Sequence, residues 1–131
     1  MFSVDSNDPT PLYAQLDRSI RAAIASGRLS VGDRLPTVRQ LAVDLRINAN
    51  TVAKVYAELE RAGVLATQRG IGTFVRDMPH AAAQTTRRDR ERELRPLVDR
   101  LLADASAVGI TLPEIAQYIE ALASRQTKEK P

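Results

Sequence analysis

Residues 37–75, TVRQLAVDLRINANTVAKVYAELERAGVLATQRGIGTFV, decide the fold. Thr37 is followed three residues later by Gln40, the spacing of a capping box, in which hydroxyl and side-chain amide each satisfy a free backbone donor. Val38, Leu41, Ala42 and Leu45 then recur at helical spacing. Arg46 and Ile47 make a tight break. Asn48 suits the N-cap of the next helix, because its side-chain oxygen accepts from first-turn N–H groups. Val52, Val55, Tyr56 and Leu59 give that helix one apolar face, and Gly63 closes it. After Gly63 the period changes. Val64 to Thr67 and Thr73 to Val75 are β-prone runs around the turn Gln68-Arg69-Gly70-Ile71-Gly72, which predicts a hairpin.

Upstream, Thr10 and Pro11 suit a helix start, since proline tolerates the first turn. Leu12, Leu16, Ile20, Ala23 and Ile24 continue at helical spacing to Gly27, and Leu29 to Pro36, with Gly32, Asp33 and Pro36, reads as a loop. Three helices, the second and third nearly abutting, followed by a hairpin, have the layout of a winged helix-turn-helix. Tyr56 is expected in the core and not as a base-stacking platform, and Tyr13 is expected to pack under the first helix.

Downstream, Asp77 to Thr86 carries Pro79, His80, three alanines and two threonines and reads as a linker or a frayed helix start. Arg87 to Arg95, RRDRERELR, has alternating signs, the mark of an exposed helix with neighbouring ion pairs; contact of Arg87 or Arg88 with flanking phosphates is the other reading. Leu94, Leu97, Val98, Leu101, Leu102, Ala105 and Val108 follow at helical spacing to Gly109, with Pro96 either kinking a longer helix, the preferred reading, or starting a new one. Thr111 and Glu114 have capping-box spacing before a last helix through Leu112, Ile115, Ile119 and Leu122, and a polar, mobile tail is expected from Ser124 to Pro131. Two helices lack the apolar area to offset the entropy of ordering. Their stripes must therefore cover the first domain or the same helices of another copy; the symmetric dimer is preferred.

Composition excludes several classes. The 131 residues are 44% hydrophobic and 27% charged, a globular balance, and no apolar run approaches the roughly 20 residues of a membrane span. The first eleven residues lack the basic-then-apolar layout of a signal peptide, so a cytoplasmic protein with no membrane association is expected. With no cysteine there is no disulfide framework or thiolate zinc site, and one histidine leaves no nucleophile, base and orienter to name. The RGIGTF stretch lacks the Lys-Ser/Thr and following helix of a phosphate-binding loop. Neither catalysis nor a cofactor is expected. The net charge is +3, and all of it falls in residues 1–76, with ten basic against seven acidic side chains. That is compatible with a polyanion partner but weak alone.

The segments PLYAQL, GDRLPTVRQLA, NANTVAKVYAELERAGVL and RGIGTFV, in this order and spacing, resemble the GntR family of bacterial transcription regulators, and the short helical tail resembles its YtrA subfamily. The match is close from Pro11 to Val75 and extends to the tail only in length and pattern. The resemblance implies a homodimer that binds an inverted-repeat operator and usually represses transcription. The expected architecture is mainly α with a small β-hairpin. Residues 1–76 would form the winged helix-turn-helix DNA-binding domain; residues 77–131 would form a linker and a two-helix dimerisation region with a polar tail.

Recognition helices present their N-terminal end to base edges in the major groove. Here Asn50 is a candidate for adenine N6 and N7 or a phosphate, Thr51 for a phosphate or a thymine methyl, and Asn48 for a cap, a DNA contact or both. Arg39 matches an arginine that reaches DNA in the family, and Thr37 is expected as a cap whose hydroxyl or amide is also a candidate for a phosphate. Lys54, off the apolar stripe, is assigned to a phosphate or a guanine. Many relatives carry arginine where this chain has Ala49 and Ala53, a departure that predicts either a different operator preference or more reliance on Asn50 and Lys54. In the wing, Gly70 allows close backbone approach and Arg69 suits a narrow minor groove. The dimer interface is assigned to Leu97, Leu101, Val108, Ile115, Ile119 and Leu122. The short tail leaves little volume for a pocket of about 300 Å³ or more, so a small-molecule effector, unidentified, would sit at the dimer interface or between domains. The alternative function is a winged-helix protein-interaction module without specific DNA binding.

Overall fold

Helix α3 (Ala49–Arg61) organises the N-terminal half because its Val52, Val55 and Leu59 side chains are wholly inaccessible and Tyr56 nearly so. These four positions share one face of a helix of 3.6 residues per turn. They pack into a single cluster with Leu16, Ile20 and Ala23 of α1 (Leu12–Ala25) and Leu41 and Ala42 of α2 (Val38–Leu45). The computed structural model describes residues 2–77 and 86–129, and the chain divides after Met78 into two units.

Local chemistry sets the helix ends. The Thr37 hydroxyl accepts from the Gln40 N–H at 3.1 Å while the Gln40 side-chain oxygen accepts from the Thr37 N–H at 3.0 Å, the reciprocal box expected from the sequence. Arg46 adopts a left-handed conformation with φ 57° and reverses the chain. Two residues later the Asn48 side chain accepts from the Asn50 N–H at 2.8 Å and starts α3. The break between α2 and α3 is therefore three residues long. Helix α3 ends where Gly63 turns the chain at φ +80°, with nothing within 4 Å of the position a Cβ would take.

Strands β1 (Leu65–Gln68) and β2 (Gly72–Val75) form the antiparallel hairpin, with Leu65 opposite Val75 and Gln68 opposite Gly72. The stretch before α2, read from its Gly, Asp and Pro as a loop, pairs with this hairpin. The Gly32 N–H donates to the Val75 carbonyl, the Val75 N–H to the Asp33 carbonyl, and the Leu35 N–H to the Thr73 carbonyl, all at 2.8–2.9 Å. Leu35 lies in the core, and its burial draws the segment onto β2.

A second feature absent from the sequence reading is the N-terminal arm. Phe2 is buried in the core and the half-buried Val4 packs against it from the same arm. Gln15 fastens the arm across α1: its side-chain oxygen accepts from the Asp5 N–H at 2.7 Å, and its amide donates to the Asp5 and Thr10 carbonyls. Pro11 stands at the N-cap itself and makes no side-chain cap.

The second unit contributes α4 (Arg87–Ala107) and α5 (Leu112–Glu129). Thr86 caps α4 by accepting from the Asp89 N–H at 3.2 Å. One helix runs through Pro96, so proline does not start a new one there. The block from Arg87 to Arg95 is exposed, with Arg87 3.5 Å from Glu91 one turn on. Thr111 and Glu114 form a variant of the expected box. The Glu114 N–H donates to the Thr111 hydroxyl, while the Glu114 carboxylate accepts from that same hydroxyl in place of a backbone N–H. Helix α5 continues to Glu129, where the sequence suggested a mobile tail from Ser124. The linker residues 78–85, including His80, and the last two residues lie outside the described chain. Among the described residues no helix is long and apolar enough to cross a membrane.

Because space at Gly63 is open, the cost of a side chain there is set by φ alone. Gly63→Ala is expected to destabilise the protein by about 1–2 kcal/mol, read as a lower midpoint in urea unfolding, with Gly63→Asn costing less because asparagine tolerates left-handed backbone.

Candidate nucleic-acid interface

With Val52, Val55, Tyr56 and Leu59 turned inward, α3 presents Asn50, Ala53, Lys54 and Ala57 on its exposed side. Asn50 and Thr51 occupy its first turn, with Asn50 exposed and Thr51 half-buried. Asn48 has committed its side-chain oxygen to the cap, which leaves its NH2 group for other partners. Ala49 and Ala53 are exposed and small, so the backbone of this turn is open to close approach.

Two further elements flank α3. Thr37, at the start of α2, shares with Arg69 and Gly70 of the wing a groove of about 410 Å³, which also touches Arg34 and Tyr56. Gly70 has φ +78° at the hairpin tip, where a residue with a Cβ would be strained. Arg39 lies on α2 beside a different, shallow depression lined by Pro36, Gln40, Val43 and Asp44. The structure thus brings Thr37, Arg69 and Gly70 together and sets Arg39 apart from that groove.

Lys54 lies elsewhere. Its ammonium sits 4.8 Å from the centre of the Tyr13 ring, a cation–π contact between α3 and α1. The sequence leads one to expect Tyr13 packed under the first helix. It is instead exposed on the surface, carrying Lys54. The residue is legible as apolar, but its partner depends on how α1 crosses α3.

Tyr56 is the core tyrosine of the pair, as its place on the apolar stripe implies. Its hydroxyl donates to the Pro36 carbonyl at 2.7 Å and so ties α3 to the residue just before Thr37. Burial pushes its phenol up to about 12. Among the described residues, Arg34, Arg39, Lys54 and Arg69 have no ion-pair partner. Sequence reasoning misses Arg34 because its segment looks like an unpaired loop. The six residues expected at a dimer interface all belong to the second unit. There Leu97, Leu101, Val108 and Ile119 are 65%, 43%, 72% and 51% exposed, while Ile115 and Leu122 are half-buried.

Residues 12–75 match the family described as bacterial regulatory proteins, gntR family. The chain is 32% identical over 124 residues to the HTH-type transcriptional repressor YtrA of Bacillus subtilis, covering 95% of this chain and 93% of that one. Among solved structures it is similar to YtrA from Sulfolobus acidocaldarius, a GntR-family transcription factor, with a TM-score of 0.57 and 31% identity over 78% of this chain and 97% of that one. A transcriptional regulator from Oenococcus oeni gives a TM-score of 0.55 at 31% identity, covering 94% of this chain and 99% of the other. The likeness therefore extends past the wing into the C-terminal helices.

Removing the Tyr56 hydroxyl leaves the Pro36 carbonyl without its donor, so Tyr56→Phe is expected to cost about 1–2 kcal/mol at neutral pH. The phenol's contribution is complete below its ordinary value of about 10 and is lost as pH rises through about 12. The gap between wild type and Tyr56→Phe should therefore narrow across that window in urea unfolding, and a constant gap would contradict the assignment.

Proposed function

From the premise that the chain belongs to the GntR family of bacterial regulatory proteins, we propose that it is a homodimeric transcriptional repressor that binds an inverted-repeat DNA operator and answers to a small-molecule effector. The observation that carries this reading is the α2–turn–α3 unit flanked by the wing, with the N-terminal ends of both helices exposed and four cations free of carboxylates among the described residues.

In this reading the first turn of α3 enters the major groove. Asn50 pairs with adenine N6 and N7, and Thr51 packs on a thymine methyl or bonds a phosphate. Asn48 contributes its NH2 group while its oxygen holds the cap. Thr37 and Arg39 reach the backbone from the start of α2, and Arg69 and Gly70 bring the wing to the adjacent minor groove. For Lys54 the contact with Tyr13 ties the ammonium to α1, which favours a phosphate over a guanine.

The second unit supplies the argument for two copies. Leu97, Leu101, Val108 and Ile119 are too exposed in one chain for residues at helical core spacing. A second copy of α4 and α5 would cover them, together with Ile115 and Leu122, through a self-complementary surface. The name of the Bacillus relative supports repression.

Selection of bound duplexes from a random DNA pool is the test. An enriched two-fold repeat is the expected result, and a pool that shows no enrichment would leave the protein-interaction module as the better reading. On the selected operator, Asn50→Ala should cost about 1–3 kcal/mol and relax preference at one position per half-site. Leu101→Glu should shift the protein to monomers in sedimentation and weaken operator binding with it; a monomer that binds at full strength would refute the dimer scheme.

A further inference from the structure

The wing groove contains a guanidinium that no part of the sequence pattern assigns. Arg34 lies on the segment paired with β2, and its backbone bridges Phe74. Its side chain crosses the backbone of Gly72. A Cβ built on Gly72 would stand 2.7 Å from Arg34 Nε and 3.3 Å from its Cζ. Gly72 also has φ +147°, a conformation that residues with side chains rarely adopt. The backbone conformation thus favours glycine at 72, and the lack of a side chain there leaves the space in which Arg34 lies.

Arg34 is exposed and makes no hydrogen bond or ion pair through its side chain among the described residues. A guanidinium carries five donors and holds its charge at any physiological pH. Bracing of the wing alone would leave all five to water. The groove it borders is lined also by Thr37, Gln68, Arg69 and Thr73, and none of its lining residues is acidic. Two unpaired cations, a hydroxyl at the start of α2 and no carboxylate make a surface for an anion.

We propose that Arg34 holds one phosphodiester of the DNA backbone between the start of α2 and the wing, on the strand bordering the minor groove that Arg69 enters. This rests on the DNA-binding reading above and deepens it. If α3 lies in the major groove and the wing in the next minor groove, the sugar-phosphate strand dividing those grooves passes between Thr37 and the hairpin. Arg34 is the cation on that path whose backbone is already fixed, by the hydrogen bonds of Gly32, Asp33 and Leu35 to β2. Such fixing in advance reduces the entropic cost of binding. The planar fork of the guanidinium matches two phosphate oxygens at once, which a lysine ammonium does not.

The test uses the full chain and its selected operator, with affinity measured over a salt series for wild type, Arg34→Met and Arg34→Lys. Arg34→Met keeps most of the stem that lies on Gly72 and removes the charge. Its affinity should fall about fivefold to tenfold, and the slope of log affinity against log salt should become shallower by about 0.9 for each phosphate that Arg34 neutralises in the wild type, one in each half-site. Base preference and melting temperature should stay as in wild type. Arg34→Lys should recover the slope and part of the affinity. Unchanged affinity in Arg34→Met would overturn the proposal, as would weaker binding with the slope intact, which would make Arg34 only a prop for the wing. Wild type without salt-dependent binding to any duplex would instead overturn the DNA-binding reading itself.

Discussion

The burial of one face of α3 is the constraint on which the rest of this structure depends. Val52, Val55, Tyr56 and Leu59 fit among α1, α2 and β1, and a helix with four such anchors cannot rotate about its axis without exposing them. Each large side chain kept from water contributes about 1.5–3 kcal/mol, so a rotated helix would lose several times the effect of any surface contact. Fixing the rotation fixes the opposite face as well. Asn50, Ala53, Lys54 and Ala57 are outward because the stripe behind them is inward. The polar first turn of α3 is thus aimed by apolar packing, and its cap at Asn48 decides where along the axis that turn begins.

A short stretch of backbone, Arg34 to Thr37, then joins the three parts of the interface. Leu35 is anchored in the core and hydrogen-bonds to Thr73 of the wing. Pro36 accepts from Tyr56 of α3, and Thr37 opens α2. Movement of the wing relative to α3 would have to break one of these ties or drag the start of α2 along. The interface therefore behaves as one piece, with the entropy of arranging it lost on folding and not on meeting a partner. A hairpin of four-residue strands would be marginal if left to itself. Here Leu65 and Val75 anchor it in the core, and it pairs with a segment held by the buried Leu35 and by the hydrogen bond from Tyr56 to Pro36.

What the sequence makes legible follows from the range of each interaction. Thr37 with Gln40, Asn48 with Asn50, and the stripe of α3 act within short reach along the chain, and the elements they specify appear where the spacing places them. The hairpin is also readable, because its turn carries glycine at the tip. The pairing of Gly32 to Leu35 with β2 spans some forty positions of chain, and no local signal separates such a segment from a loop that contains glycine, aspartate and proline. Phe2 and Val4 are hidden for a similar reason: two apolar residues are too few to show a period. Lys54 is off the apolar stripe as its position implies, but the surface it meets depends on Tyr13, far upstream in α1. Residue type and helical face are local facts. The partner across a helix crossing is not.

The two halves of the chain also differ in how their apolar residues are satisfied, and under the proposed function this bears on what the helices after the wing do. In residues 2–77 the apolar stripes close on one another, leaving Tyr13, Val31, Val43 and Ile71 as the exposed large apolar side chains. In α4 and α5 the balance is reversed: Ala105 alone among the described apolar side chains is buried, while Leu94, Leu97, Val98, Leu101, Leu112, Tyr118 and Ile119 are exposed. Exposed apolar surface gathered at helical spacing carries a cost in water that scales with its area, about 25 cal/mol for each Å². A monomer gains nothing by keeping it, whereas a second copy removes the cost for both chains. Under that scheme operator binding and the covering of α4 and α5 are linked, since two half-sites can be engaged together only when the second unit holds two copies at a fixed separation. The affinity for the whole operator then rises through effective concentration without any added contact to DNA.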